Sequence, residues 1–299
     1  MDLIRSGNYD AAQEILDGLN WKDSKAQSTL ISARKALDRN DYSSGIEYVC
    51  SVGGTVNLDY TCDKGTFSKT HDSIKSKSEF SLPTWTYNGY HITEWNVDKY
   101  SIDSSTSNYV ADITLKASYD ITAYTISLCK TKAGTVDETI GYNITKSVSI
   151  ENPSRTGYTF LGWTGGEYTT PIKDLVIPVG TYGDITLVAQ WELINYNITY
   201  YLDGGSTTNP TTYTIEDNLT LSNATKTGYT FVGWYTSDAY TKEVKTISNQ
   251  TGDISLYAKF SVNTYTYLLD ANGGTLENPI KTIKVTYYFV SNGQCELDV

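Results

Sequence analysis

One phrase of seven residues recurs along this chain at a nearly constant interval. Residues 157–163 read Gly-Tyr-Thr-Phe-Leu-Gly-Trp, residues 228–234 read Gly-Tyr-Thr-Phe-Val-Gly-Trp, and residues 89–95 read Gly-Tyr-His-Ile-Thr-Glu-Trp. The copies begin 68 and 71 residues apart. A fixed interval of this length predicts a tandem array in which each copy folds as one structural unit.

Two further landmarks keep the same interval. Upstream of each phrase stands a small-residue turn, centred on Gly65, Gly134, Gly205 and Gly274. Downstream stands a segment of the type Asp-Ile-Thr-Leu-x-Ala, which begins at Asp112, Asp184 and Asp253. The repeat therefore covers a whole module, and the insertions fall between the landmarks, where loops belong.

Together these landmarks resemble the Listeria-Bacteroides repeat, the B-repeat of internalin-like bacterial surface proteins, over roughly residues 55–299. Two copies match the phrase closely, the first copy lacks its Phe and its second Gly, and the fourth ends after the Gly274 turn without the phrase. The resemblance implies a small β-grasp-like module that is used in several copies outside the cell.

The residues predict strands without reference to the family. From Asp253 to Phe260, apolar and polar side chains alternate, which is typical of a half-buried strand. We therefore predict a mainly β chain of modules of about 70 residues each. The predicted boundaries are 51–120 for a degenerate first repeat, 121–193 for the second, 194–262 for the third and 263–299 for a partial fourth.

Residues 1–50 have helical periodicity instead. Residues 6–12 and 39–45 are similar at an offset of 33, which is close to the 34-residue period of a tetratricopeptide hairpin. Asp23 or Ser24 can cap a helix that runs to about Asp38. The segment is predicted to be a short, tetratricopeptide-like helical hairpin that serves as a cap or spacer.

The repeated aromatic residues have two interpretations. Trp95, Trp163 and Trp234 could be platforms for sugar rings, but a large ring in so small a module is expected in its core. Strand alternation points Tyr201, Tyr235 and Tyr257 outward, which makes them the candidate binding surface. Strand propensity alone is the simpler explanation for these tyrosines.

Charge and hydropathy exclude several classes of partner. The formal net charge is −11, and no cluster of Lys and Arg forms the basic face that a nucleic acid would require. No run approaches the roughly 20 apolar residues that cross a bilayer as a helix. We expect no nucleic-acid partner and no membrane insertion within this chain.

Neither a metal site nor a catalytic site is indicated. The cysteines Cys50, Cys62, Cys129 and Cys295 lack Cys-x-x-Cys spacing, although Cys50 and Cys62 could form a disulfide. The two histidines, His71 and His91, stand in no recognisable catalytic motif. We expect no metal, no cofactor and no enzymatic activity.

The expected function is that of a non-catalytic surface or secreted repeat protein, either an adhesive array or a stalk that presents other regions. Its partner would be a protein or glycan receptor, and regions outside this chain could contact the cell wall. The alternative is a set of carbohydrate-binding modules, attached to an enzyme in flanking sequence. Location outside the cell follows only from the resemblance, since no signal peptide is recognisable and the chain reads as a fragment. Short connectors at 192–195 and 261–264 favour a semi-rigid rod.

Overall fold

The computed structural model describes residues 2–19, 23–268, 280–284, 286–289 and 295–298. The chain forms two compact units. One unit contains Met1–Cys129, Val136–Ile150 and Leu175–Leu187, and the other contains Lys130–Thr135, Glu151–Asp174 and Val188–Val299. The division between the two units passes through the predicted second repeat, so each unit is described separately.

Helices come first in the chain: α1 (Asp2–Arg5), α2 (Tyr9–Asp17), α3 (Ser24–Asp38) and α4 (Tyr42–Ser51). The predicted helix that ends at Asp38 is confirmed, although the Asp23 side chain makes no capping hydrogen bond to it. The helical start of the chain is therefore confirmed at the level of secondary structure.

The first repeat follows as β1 (Thr55–Thr61), β2 (Thr66–Phe67), β3 (His71–Ile74), β4 (Trp85–Thr86), β5 (Tyr90–Asp103) and β6 (Val110–Ile121). A short 3-10 helix, Lys77–Glu79, precedes β4. The main sheet has the order β3-β1-β6-β5, in which β1 is parallel to β6 and the other neighbours are antiparallel. Helices α3 and α4 contribute Leu30, Leu37, Ile46 and Val49 to the hydrophobic core of this sheet.

The second repeat consists of β7 (Tyr124–Cys129), β8 (Glu138–Tyr142), β9 (Val148–Ser149), β10 (Tyr158–Gly165), β11 (Tyr168–Ile172), β12 (Val176–Ile177) and β13 (Ile185–Leu193). In the first unit, β7 pairs with β8 and β9 pairs with β12. In the second unit, β10 lies antiparallel to both β11 and β13.

The third repeat consists of β14 (Tyr196–Tyr201), β15 (Thr212–Tyr213), β16 (Asn218–Thr220), β17 (Tyr229–Tyr235), β18 (Glu243–Val244), β19 (Thr246–Ser248) and β20 (Ile254–Val262). Its sheet has the order β15-β14-β20-β17-β18, with β14 parallel to β20 at the centre. Strands β16 and β19 form a separate antiparallel pair. Trp234, Leu256 and Ala258 lie in the core beneath this sheet, as the alternation of the last strand predicts.

The end of the chain forms two antiparallel pairs, β21 (Thr264–Leu268) with β22 (Ile280–Lys284), and β23 (Thr286–Phe289) with β24 (Cys295–Asp298). The predicted turn at Gly274 lies outside the described residues. Because strands dominate every segment after α4, the prediction of a mainly β chain is confirmed.

The phrase that recurs in sequence has the same strand register in each copy. The tryptophan pairs with an alanine of the neighbouring strand as Trp95 with Ala117, Trp163 with Ala189, and Trp234 with Ala258. One extra residue, a β-bulge, separates this pair from the preceding pair: Ile92 with Tyr119, Phe160 with Trp191, and Phe231 with Phe260. The three tryptophans are 9%, 0% and 2% exposed. They are core residues, and the interpretation as sugar platforms is wrong, because a buried ring offers no face to a ligand.

The suggested disulfide between Cys50 and Cys62 is also wrong. Both residues are free thiols, as is the buried Cys129. Cys50 belongs to α4 and Cys62 follows β1, and each packs at the edge of the first core as a small apolar side chain.

Candidate binding surface

The three tyrosines that the sequence singles out lie side by side on the third repeat. Tyr257 in β20 is the register partner of Tyr201 in β14 and of Tyr235 in β17. Since neighbouring residues of a strand point to opposite faces, all three lie on the face opposite Trp234, Leu256 and Ala258. We call this set, Tyr201, Tyr257 and Tyr235, the tyrosine row.

The rings of the tyrosine row pack on one another. Tyr201 and Tyr257 are stacked, with ring centroids 4.4 Å apart and planes 9° from parallel. Tyr201 is 49% exposed, whereas Tyr257 and Tyr235 are half-buried. Desolvation, with a smaller contribution from Tyr201, raises the pKa of Tyr257, so its hydroxyl stays protonated at neutral pH. The row is therefore a flat, neutral aromatic surface with one open end at Tyr201.

Two further residues extend the row and were not predicted. The ring of Tyr240 meets the ring of Tyr235 edge to face, with centroids 5.4 Å apart. The Lys259 ammonium lies 5.5 Å from the Tyr235 ring centroid and 5.3 Å from that of Tyr240. Tyr240 occupies the turn between β17 and β18 with a φ of +50°, where strand alternation carries no signal. Lys259 shares the face of Tyr257 by alternation, and this could have identified it.

The tyrosine row is particular to the third repeat. The positions of Tyr235 and Tyr257, one residue beyond the Trp–Ala pair, hold Thr164 and Val188 in the second repeat. In the first repeat they hold Asn96 and Lys116, and Thr61 stands beside Lys116 where Tyr201 stands beside Tyr257. Because three unlike sets occupy the same register, the fold does not require aromatic rings at these positions.

The histidines form no catalytic arrangement with a nucleophile. His71 Nδ1 lies 2.9 Å from Asp59 Oδ1 on the paired strands β3 and β1, and both side chains are exposed. His91 Nδ1 lies 3.2 Å from the Thr122 hydroxyl. Within the described ranges, His, Cys, Asp and Glu side chains form no group of three that could hold a metal ion. Over the same part of the chain, every helix is too short or too polar to span a bilayer.

Two segments of the chain, residues 124–190 and 196–259, match the model of the Listeria-Bacteroides repeat domain. These matches support the repeat family for this chain. They fall on the two copies in which the seven-residue phrase is intact.

Bacterial proteins that contain similar sequence are much longer than this chain. A protein of Evansella cellulosilytica, provisionally named a Gly-rich membrane protein, is 30% identical over 280 residues, which is 89% of this chain and 29% of the relative. A second protein of that organism, provisionally named a membrane protein, is 30% identical over 168 residues, or 54% of this chain and 25% of the relative. Internalin H of Listeria monocytogenes is 38% identical over 117 residues, or 37% of this chain and 20% of the relative. The chain thus spans less than a third of the length of each.

Proposed function

We propose that this chain is the repeat region of a non-catalytic protein that lies outside the cell or on its surface, where the modules act as a stalk or adhesive array. The observation that carries the proposal is the recurrence of one unit, with the same Trp–Ala pair and the same bulge, in three copies. Copies in series supply reach and repeated contact sites, whereas a single active site gains nothing from them. The similarity to internalin H and to two proteins named for membranes supports a location at the cell surface.

The fold of the modules supports a finer grouping. In the first and third repeats, the first and last strands are parallel neighbours inside the sheet, and an antiparallel strand follows on each side. This mixed order supports the β-grasp-like fold that the resemblance implies. For the start of the chain, the Asn8 side chain accepts a hydrogen bond from the Ala11 amide, and the Asp41 side chain accepts one from the Ser44 amide. Equal caps 33 residues apart support the tetratricopeptide-like repeat.

The partner proposed for the array is a protein or glycan receptor, and regions outside this chain would provide any attachment to the cell wall. The acidic charge of −11 makes nucleic acid an unsuitable partner, because phosphate repels it. No cofactor is needed for this function.

Protease treatment of intact source cells tests the proposed location. We expect trypsin to release fragments that react with an antibody raised against residues 124–261 while the cells remain unlysed. A cytoplasmic protein of the same cells, probed in parallel, should stay intact. Protection of the repeats until the cells are broken would overturn the surface function.

A second candidate function is carbohydrate binding by the third repeat alone. The stacked Tyr201 and Tyr257 rings favour it, because flat aromatic surfaces pack against the apolar faces of sugar rings. A glycan array probed with the intact chain would measure this. We expect Tyr201→Ala to lose at least tenfold in retention. Tyr182→Ala, which removes an equally exposed ring of the second repeat, should retain full binding. Equal binding by both variants would exclude the tyrosine row as a sugar site.

A further inference from the structure

The first residue of the seven-residue phrase touches the module that follows. Gly157 has a φ of +79°, and a Cβ atom at this position would lie 2.5 Å from Cγ2 of Ile215 in the third repeat. Gly89 has a φ of +82°, and its Cβ would lie 2.9 Å from Cδ1 of Ile144 in the second repeat. Ile144 and Ile215 are 71 residues apart and so occupy equivalent positions. Each glycine therefore leaves room for an isoleucine of the next module.

The same glycines also bind the connector to the next module. The carbonyl of Gly89 accepts a hydrogen bond of 2.8 Å from the Thr122 amide. The carbonyl of Gly157 accepts one of 3.0 Å from the Ile194 amide, and that of Gly228 accepts one of 2.9 Å from the Asn263 amide. In each case the donor comes directly after the last strand of the module. The chain is thus held to the phrase at the point where it leaves the module.

The tyrosine that follows the glycine makes a third contact between the second and third repeats. The Tyr158 hydroxyl donates a hydrogen bond to the Glu216 carboxylate, the residue next to Ile215, and this bond raises the pKa of Tyr158. On the ring face, the Arg155 guanidinium lies 3.7 Å from the centroid. Arg155 thus brings a positive charge to a tyrosine that is bonded to a carboxylate, which favours that bond.

A cation lies over the equivalent tyrosine in every copy, although it does not always come from the same position. The Lys226 ammonium is 4.1 Å from the Tyr229 ring, from the position equivalent to Arg155. In the first copy, Tyr87 takes that position and stacks on Tyr90 at 4.9 Å, and the Lys64 ammonium lies 5.5 Å from the Tyr90 ring. The arrangement survives the change of residue, which indicates that it is not an accident of one copy.

We propose that the Gly-Tyr pair of each phrase is a docking socket for the following repeat, and that its ligand is an isoleucine of that repeat. The glycine admits the isoleucine side chain, the glycine carbonyl holds the connector, and the tyrosine and its cation hold the rim. A module joins the array after another copy only if it presents an apolar, branched side chain at the position of Ile144 and Ile215. The inference deepens the proposed stalk, because the socket couples each module to the next through side chains and not only through a short connector.

An alternative explanation for these glycines is that the turn needs only a positive φ. Gly180 and Gly252 each have a φ of +90°, yet a Cβ at either position would meet nothing within 4 Å. Backbone conformation and close approach can therefore be separated by substitution, since alanine at Gly180 suffers only the strain of the conformation.

Hydrogen exchange on the full chain, read at the Ile194 amide, tests the socket. We expect Ile215→Ala to speed exchange at Ile194 at least tenfold and leave the amides of β20 within twofold, because the third core does not depend on Ile215. Leu219→Ala, which shortens a side chain packed on that core, should do the opposite. If Ile215→Ala leaves Ile194 exchange within twofold, the socket is refuted.

A double variant adds an independent test. Gly157→Ala should speed exchange at Ile194 well beyond any effect of Gly180→Ala. Adding Ile215→Ala should recover part of the loss, because it removes the atoms that the new methyl group meets. Equal effects of Gly157→Ala and Gly180→Ala, with no recovery in the double variant, would overturn the proposal. The measurement uses purified protein, so its outcome is independent of where the protein resides in the cell.

Discussion

Replacement of Trp234 by alanine should unfold the third repeat selectively. The indole is 2% exposed and packs against the rings of Tyr200 and Phe231, at centroid distances of 5.1 and 5.3 Å. Its Nε1 donates a hydrogen bond of 2.9 Å to the Ser222 carbonyl. Few other residues of comparable size fill this core, so no neighbour can close the cavity that alanine would leave.

The expected loss can be worked out from these contacts. Replacing a buried Trp by Ala costs about 3–5 kcal/mol of unfolding free energy. The lost hydrogen bond adds little, because the Ser222 carbonyl also accepts one of 2.9 Å from the Asn209 side chain and stays satisfied. A unit of about 70 residues has only about 4–10 kcal/mol to lose. The open fraction of this repeat should therefore rise roughly 100- to 4,000-fold.

Hydrogen exchange followed by mass spectrometry measures this locally, which matters because a chain of several units does not unfold in two states. In Trp234→Ala, the amides of β20 should lose protection, whereas those of β6 in the first repeat should keep theirs. Val232→Ala, which removes an exposed side chain from the same strand, should change the protection of β20 by less than about threefold. Unchanged protection of β20 in Trp234→Ala would refute the assignment of this ring as the core of the repeat.

Three further predictions concern pH, thiol reactivity and the helical segment. Burial raises the pKa of Tyr60 and of Tyr200 to about 12, so each protonated phenol contributes stability that is complete below about pH 10 and is lost as the pH rises toward 12; circular dichroism should show alkaline unfolding in this window, and Tyr200→Phe should weaken it. The buried Cys129 should resist iodoacetamide in the native chain and react after denaturation, as mass spectrometry can show; rapid native labelling would contradict its burial. Arg34→Ala removes a hydrogen bond of 2.8 Å from the guanidinium to the Ile102 carbonyl and should lower the thermal midpoint of the first unit, at a cost of about 1–3 kcal/mol; an unchanged midpoint would contradict this role.

The sequence predicts those features that depend on neighbouring residues. Alternation identified the inner face of β20, because the side chains of a strand point to its two faces in turn. The size of the tryptophans identified the core, because a small module has few other large apolar groups to bury. The start of α3 near Ser24 followed from helical spacing and capping preferences.

Features that depend on distant parts of the chain could not be predicted in the same way. The parallel pairing of β14 with β20 joins residues more than 50 positions apart, and no local pattern marks it. Tyr240 joins the tyrosine row from a turn, where side-chain direction follows from the backbone and not from periodicity. The contact of Gly157 with Ile215 has a readable trace in the 71-residue interval from Ile144 to Ile215, but an isoleucine in a β-rich sequence does not attract notice by its type.

The bulge beside the tryptophan determines which copies of this module can be recognised at all. The first copy keeps the bulge and the Trp95–Ala117 pair, although Ile92 and Glu94 have replaced the Phe and the second Gly of the phrase. Loss of those two residues is therefore compatible with an intact fold, and a diverged copy can hide from a search that demands the whole phrase. A search weighted toward the tryptophan and the alanine of its partner strand would recover such copies. In longer relatives, a count based on the phrase alone would underestimate the number of units and hence the length of the array.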